Sequence, residues 1–258
     1  MNLYFKYLAM HFKSAMQYKT SFILLSIGQF FVPFSVFLSF SFLFRRFGNI
    51  QDFNFYEVAF IYSIANFSFA ITESFVRGFD SFSKLIKSGD FDRLLVRPQN
   101  LIVQVLGSAI EFTRIGRIVQ SILVFIIAVI NLEILWNIGH IMFIILMIFS
   151  GFCVFSGIFI LTATIPFWTV EGIEIANIFT DGGRELSQYP LSIYKDWFRR
   201  FFTYIIPFAC VNFLPFLYLT GKSDNLFYAF APIYGIIFVI PCISIWYFGV
   251  KKYKSTGS

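Results

Sequence analysis

An all-α polytopic membrane protein with six transmembrane helices and an N-terminal amphipathic interfacial helix is the architecture this sequence implies, on three grounds. Hydrophobic residues make up 58% of the 258-residue chain and charged residues only 13%, against roughly 45–50% and 25% in soluble globular proteins. With 39 Phe and a mean hydropathy of +0.75, too few polar side chains remain to cover a water-facing surface. Charge-free stretches recur at lengths near the roughly 20 apolar residues that a spanning helix needs, and Lys and Arg collect in alternate connecting segments.

Residues 1–19 lack an uninterrupted apolar region and a small-residue cleavage site, so they do not read as a signal peptide. Asn2, Lys6, Lys13 and Gln17 gather on one side of a helical wheel, with Tyr4, Phe5, Leu8, Phe12 and Met16 elsewhere. That pattern predicts a helix lying along the inner leaflet, with a plain basic flank as the alternative.

The spans follow at about 20–44, 56–77, 116–136, 141–165, 201–219 and 226–250. The first is bounded by Lys19 and Arg45. The second and third have short charge-free cores and borrow turns at their ends. Pro33 falls in the first, Pro207 and Pro215 in the fifth, Pro232 and Pro241 in the sixth. Each removes a backbone donor and bends its helix, which membrane bundles tolerate where neighbours re-satisfy the freed carbonyls.

With the N-terminus inside, the inner segments 1–20, 77–117, 184–200 and 251–254 hold 17 Lys and Arg, and the outer ones hold Arg45, Arg46 and Lys222. This asymmetry places both termini in the cytoplasm. It also assigns the net charge of +6 to anionic headgroups rather than to nucleic acid.

The inner segment 80–100 is the most informative. Asp80 reads as an N-cap, 81–88 as a two-turn helix, Gly89 as its stop, Asp90 as the cap of a second short helix, and Arg97 as extended before Pro98. The unit carries Phe82, Leu85, Ile86, Phe91, Leu94 and Leu95 among Lys84, Lys87, Asp90, Asp92, Arg93 and Arg97. It is too small to bury its own apolar side chains, which must face lipid headgroups or another protein.

KSGDFDRLLVRPQN at 87–100 resembles the signature after the second span of the six-helix ABC-2-type transporter permeases. FWTVEGIEIANIFTDGGRELSQYPLSIY at 167–194 resembles their inner segment before span five, and FFTYIIPFACVNFLPFLYLTGK at 201–222 is similar to their fifth span. The resemblance implies a permease subunit of an ABC exporter in the bacterial plasma membrane. It would pair with a second permease, identical or homologous, and with cytoplasmic ABC ATPase subunits that hold ATP and Mg. It further implies that 81–97 couples to the ATPase through Phe82, Lys84, Leu85, Lys87, Gly89, Asp90, Phe91, Asp92, Arg93 and Arg97, with 184–200 as a second contact. An uptake component that borrows an ATPase, and a non-transporting scaffold, are the alternatives.

No catalytic, cofactor-binding or metal site is expected in this chain. Thr220-Gly221-Lys222-Ser223 mimics the end of a phosphate loop, but Phe216 stands where Gly is required. His11 falls in the inner-leaflet helix and His140 at the outer mouth of span four, so they make no metal pair, and Cys153, Cys210 and Cys242 sit in apolar stretches. Glu171 and Glu174 read as solvated acids. Glu73 with Arg77, and Glu111 with Arg114, read as local neutralising pairs. The Phe-rich first span suits either packing and lipid contact or an aromatic cavity for an amphipathic or cationic cargo.

Overall fold

The computed structural model describes residues 3–169 and 173–255; Asn2 and Glu171 lie outside these, and the Glu174 side chain is likewise not described. Among the described residues there is no strand, only an isolated bridge between Ile50 and Phe53.

The expected interfacial helix is α1 (Leu3–Gln17). It lies against the chain through Tyr4, whose hydroxyl donates to the Phe75 carbonyl (3.0 Å), and His11, whose Nε2 is 3.0 Å from the Gly107 carbonyl oxygen. Its end of the bundle is called proximal here. Next come α2 (Lys19–Phe47) and α3 (Phe55–Phe75), which pass out to a distal hairpin and back. Asn54 caps α3 reciprocally with Glu57 through two 2.9 Å bonds, satisfying two terminal donors at once.

The proximal connection contains α4 (Arg77–Asp80), α5 (Phe82–Lys87), α6 (Asp90–Leu95) and α7 (Leu101–Ser108). Then α8 (Ile115–Asn131) runs outward and α9 (Ile138–Thr162) returns. The long helix α3 is the hub. It is mostly buried and packs on α8 and α9. The first span is peripheral by comparison: Phe30, Phe34 and Phe37 form a ring ladder that reaches Tyr62 of α3, while Phe31 and Phe42 face outward. This arrangement is the packing alternative for the Phe-rich span. Tyr62 also donates to the Pro33 carbonyl (2.6 Å), pinning the proline-containing turn of α2 to α3.

The fifth crossing differs from the expectation. The expected span at 201–219 is two pieces, α11 (Asp196–Tyr204) and, after a 3-10 turn at Phe208–Cys210, α12 (Phe213–Leu219), bent by 73°. Both ends of this pair are distal. Gln51 reaches toward the Ser192 carbonyl, and Tyr189 stacks edge-on against Phe40, while Lys222 returns to Glu57. The pair is therefore a re-entrant hairpin.

The segment that passes from proximal to distal is α10 (Ile173–Ser187), about 22 Å long at 1.5 Å per residue. Its sequence is polar enough to read as a loop, and its outer face exposes Asn177, Asp181 and Glu185, one per turn. Its inner face packs Gly183 on Phe208 and sets the Arg184 guanidinium 5.3 Å from the Phe69 ring centroid. Asn212 locks the hairpin in place by donating to Ser187 O (2.7 Å) and Ile61 O (3.0 Å). The last crossing is α13 (Leu226–Ile237) continued by α14 (Val239–Lys252).

This path corrects the charge count. Lys195, Arg199 and Arg200 lie at the distal end and Arg184 within α10, so thirteen basic residues remain proximal and six are distal. The asymmetry keeps its direction, and 184–200 does not sit beside residues 80–100, which corrects the expectation of a second contact there.

Close helix contact depends on glycine at one point. A Cβ on Gly116 would lie 1.9 Å from the Ser26 carbonyl oxygen of α2, so backbone meets backbone there, as small residues permit in membrane bundles. Gly116→Val is expected to cost about 3 kcal/mol, read as a lower unfolding midpoint in detergent. Gly28→Ala, at a position with nothing within 4 Å, should leave that midpoint within a degree or two.

Candidate functional site

The region expected to dock a partner is folded as a helix–turn–helix at the proximal end. Gly89 makes the turn with φ +72°, a left-handed conformation that favours glycine. The caps differ in detail from the expectation. Asp80 closes α4 instead of opening α5, which Ser81 precedes, and Asp90 is the first residue of α6. Ser88 donates to the Asp90 carboxylate (2.7 Å), and Arg93 pairs with the same group at 3.1 Å.

The main correction concerns the apolar side chains. Phe82, Ile86 and Phe91 are buried within the chain itself, not turned toward lipid or another protein. Phe82 and Phe91 meet edge-on at 4.9 Å. They form a box with Phe167, which follows α9, with Trp246 of α14 and with Tyr253 beyond it. Ring pairs of this kind contribute about 0.5–1.5 kcal/mol each beyond area burial. The C-terminal segment is strapped on by Ser255, whose hydroxyl donates to Asp92 (2.7 Å). Leu85 and Leu94 are half-buried.

What faces outward is Lys84, Lys87, Arg93, Arg97 and an apolar tip of Leu95 and Val96, the last 83% exposed. The unit thus presents a mixed basic and apolar knob on an aromatic base.

Behind the knob lies an ion-pair cluster that joins the two separate pairs expected from sequence. Glu73, its side chain 4% exposed, meets Arg117 (2.6 Å), Arg114 (3.3 Å) and Arg77 (3.3 Å). Arg77 continues to Asp80 (2.7 Å), and Arg114 to Glu111 (2.9 Å). Three acids face three guanidiniums, so the cluster is neutral as a unit. Burial pushes the Asp80 carboxyl above its ordinary range, against the pull of Arg77. Sequence reasoning missed Arg117. The i,i+3 spacing of Arg114 and Arg117 was the available signal, but the contact to Glu73 spans 44 residues and has no local signature.

No other chemistry gathers here. Among the described residues no group of His, Cys, Asp and Glu could hold a metal. His11 and His140 sit on different helices, and all three cysteines are free and buried. Lys222 of the phosphate-loop mimic is bound to Glu57 (2.8 Å) beside the re-entrant hairpin.

Among the described residues five helices are long and apolar enough to cross a membrane; the re-entrant pair meets the same length and composition test only as a bent unit. No curated protein and no solved structure matches the chain. A family model described as ABC-2 family transporter protein matches residues 30–257, nearly the whole path from the first span to the C-terminal strap. By that match and its all-helical polytopic fold, the chain belongs to the ABC-2 family of transporter proteins.

Proposed function

We propose that this multi-pass protein is the permease half of an ATP-driven exporter in a bacterial plasma membrane, working as a pair with an identical or homologous permease. The proximal end is cytoplasmic, and separate ABC ATPase subunits, carrying ATP and Mg, dock on the α5–α6 knob. The observation that carries this reading is the division of labour within the knob: a buried aromatic base continuous with α9 and α14, and a charged, partly apolar outer surface.

A push on that surface reaches the bundle by two routes. One passes through Phe82 and Phe91 to Phe167 and Trp246, hence to α9 and α14. The other passes through Arg77 and Asp80 to Glu73, Arg114 and Arg117, hence to α3 and α8. Rigid-body rocking of the two permeases then needs no deformation of either core, because packed cores respond as units.

Co-purification with a candidate ABC ATPase, followed by ATP turnover and transport in proteoliposomes, tests the reading. The double charge reversal Asp92→Lys with Arg93→Glu is expected to leave insertion normal and to lower transport at least tenfold. Unchanged transport would place the ATPase contact elsewhere, and ATP hydrolysis by the chain alone would overturn the assignment.

A further inference from the structure

The distal end holds a cavity that nothing above uses. It has a volume of about 590 Å³ and opens between the α2–α3 hairpin, the re-entrant pair and the start of α13. That volume is within the range of roughly 300–1,000 Å³ typical of small-molecule sites. Its lining is divided by chemistry. Arg199, Arg200 and Lys222 supply three cations against the single acid Asp52, while Leu214, Leu217 and the rings around them make an apolar floor.

The cations differ in what they have left to offer. Lys222 is held by Glu57 at 2.8 Å and stands 4.4 Å from the Phe53 ring centroid, and Arg199 is held by Asp196 at 2.7 Å. Arg200 has no ion-pair partner among the described residues and is exposed beside the cavity. A guanidinium offers paired donors that match phosphate and carboxylate oxygens, and the floor behind it suits an alkyl chain.

The geometry points to a binding site for an anionic amphiphile, its phosphate or carboxylate headgroup on Arg200 and its chain over Leu214 and Leu217. Such a ligand can come from two sources, a membrane phospholipid or an exported amphiphile in transit. That the cavity opens on the outer side of the membrane rests on the docking reading proposed above; its chemistry does not.

The test is direct binding by the full chain, purified in a maltoside detergent without any ATPase. Dodecyl phosphate is expected to bind saturably. Arg200→Gln, at an exposed position, should weaken that binding at least tenfold without moving the unfolding midpoint, and Arg200→Lys should weaken it less. Lys251→Gln, at the proximal end, should have no effect. Native mass spectrometry from phosphatidylglycerol nanodiscs separates the sources. Retained phosphatidylglycerol that dodecyl phosphate displaces assigns the site to lipid, and dodecyl phosphate binding without retained lipid assigns it to a free amphiphile. Equal binding of dodecyl phosphate by wild type and Arg200→Gln, or equal binding of dodecyltrimethylammonium, would overturn the proposal. The Asp92 and Arg93 reversals should bind the probe normally, so a failure of ATPase docking and a failure of this site give different results.

Discussion

Glu73→Gln is expected to be among the most damaging single substitutions in the protein, lowering its stability by about 3–5 kcal/mol. The carboxylate is nearly inaccessible and is shared by Arg77, Arg114 and Arg117. Amide nitrogen in its place removes the only charge that all three guanidiniums have in common and offers them donors where they need acceptors. Asp80 and Glu111 neutralise Arg77 and Arg114, which leaves Arg117 buried with no carboxylate among the described residues. Removing one partner of a buried ion pair is costly chiefly because of the charge left behind. The double variant Glu73→Gln with Arg117→Gln should therefore recover part of the loss. Unfolding midpoints of the three proteins in one detergent decide the matter. A single variant as stable as wild type would show that the cluster is solvated and structurally idle.

On the docking reading proposed above, Phe91→Ala is expected to separate ATP hydrolysis from transport. The ring is fully buried among Phe82, Phe167 and Tyr253, with centroids 4.9, 5.8 and 5.0 Å away. Phe-to-Ala truncations in cores cost about 3–5 kcal/mol, and here the loss falls on the joint between the knob and the ends of α9 and α14. The outer surface is left chemically intact, so docking and ATP turnover persist while movement is no longer passed on. Transport per ATP hydrolysed, measured in proteoliposomes, should fall at least tenfold. A ratio equal to that of wild type would show that force travels through the Glu73 cluster alone. Phe91→Leu, which refills most of the volume, should restore much of the ratio.

Five of the six expected spans and the turn at Gly89 were legible because they rest on local signals: apolar length, charge boundaries and glycine at a left-handed turn. The fifth crossing was not, and the reason is chemical. Asp181, Gly182, Gly183, Arg184 and Glu185 make α10 too polar for a hydropathy reading, yet Arg184 is turned inward onto Phe69 and paired with Glu185. Residues 201–219 are more apolar and read as a span, although Pro207 and Asn212 break them into a hairpin that Asn212 then anchors. Of the α5–α6 knob, the two short helices and their exposed basic residues were legible. The destination of its aromatic side chains was not, because Phe167, Trp246 and Tyr253 come from parts of the chain 70 to 170 residues away that no short-range pattern links to it.

The acidic outer face of α10 sets what can lie beside it in the membrane. Hydrocarbon is a poor neighbour for Asp181 and Glu185, and ionisable groups at such depth settle against water or protein. Glu185 carries Arg184 as its counter-ion, so Asp181 is the acid on this face that calls for water or a protein neighbour. On the paired arrangement proposed above, this is the face along which a water-filled path between the two permeases would run.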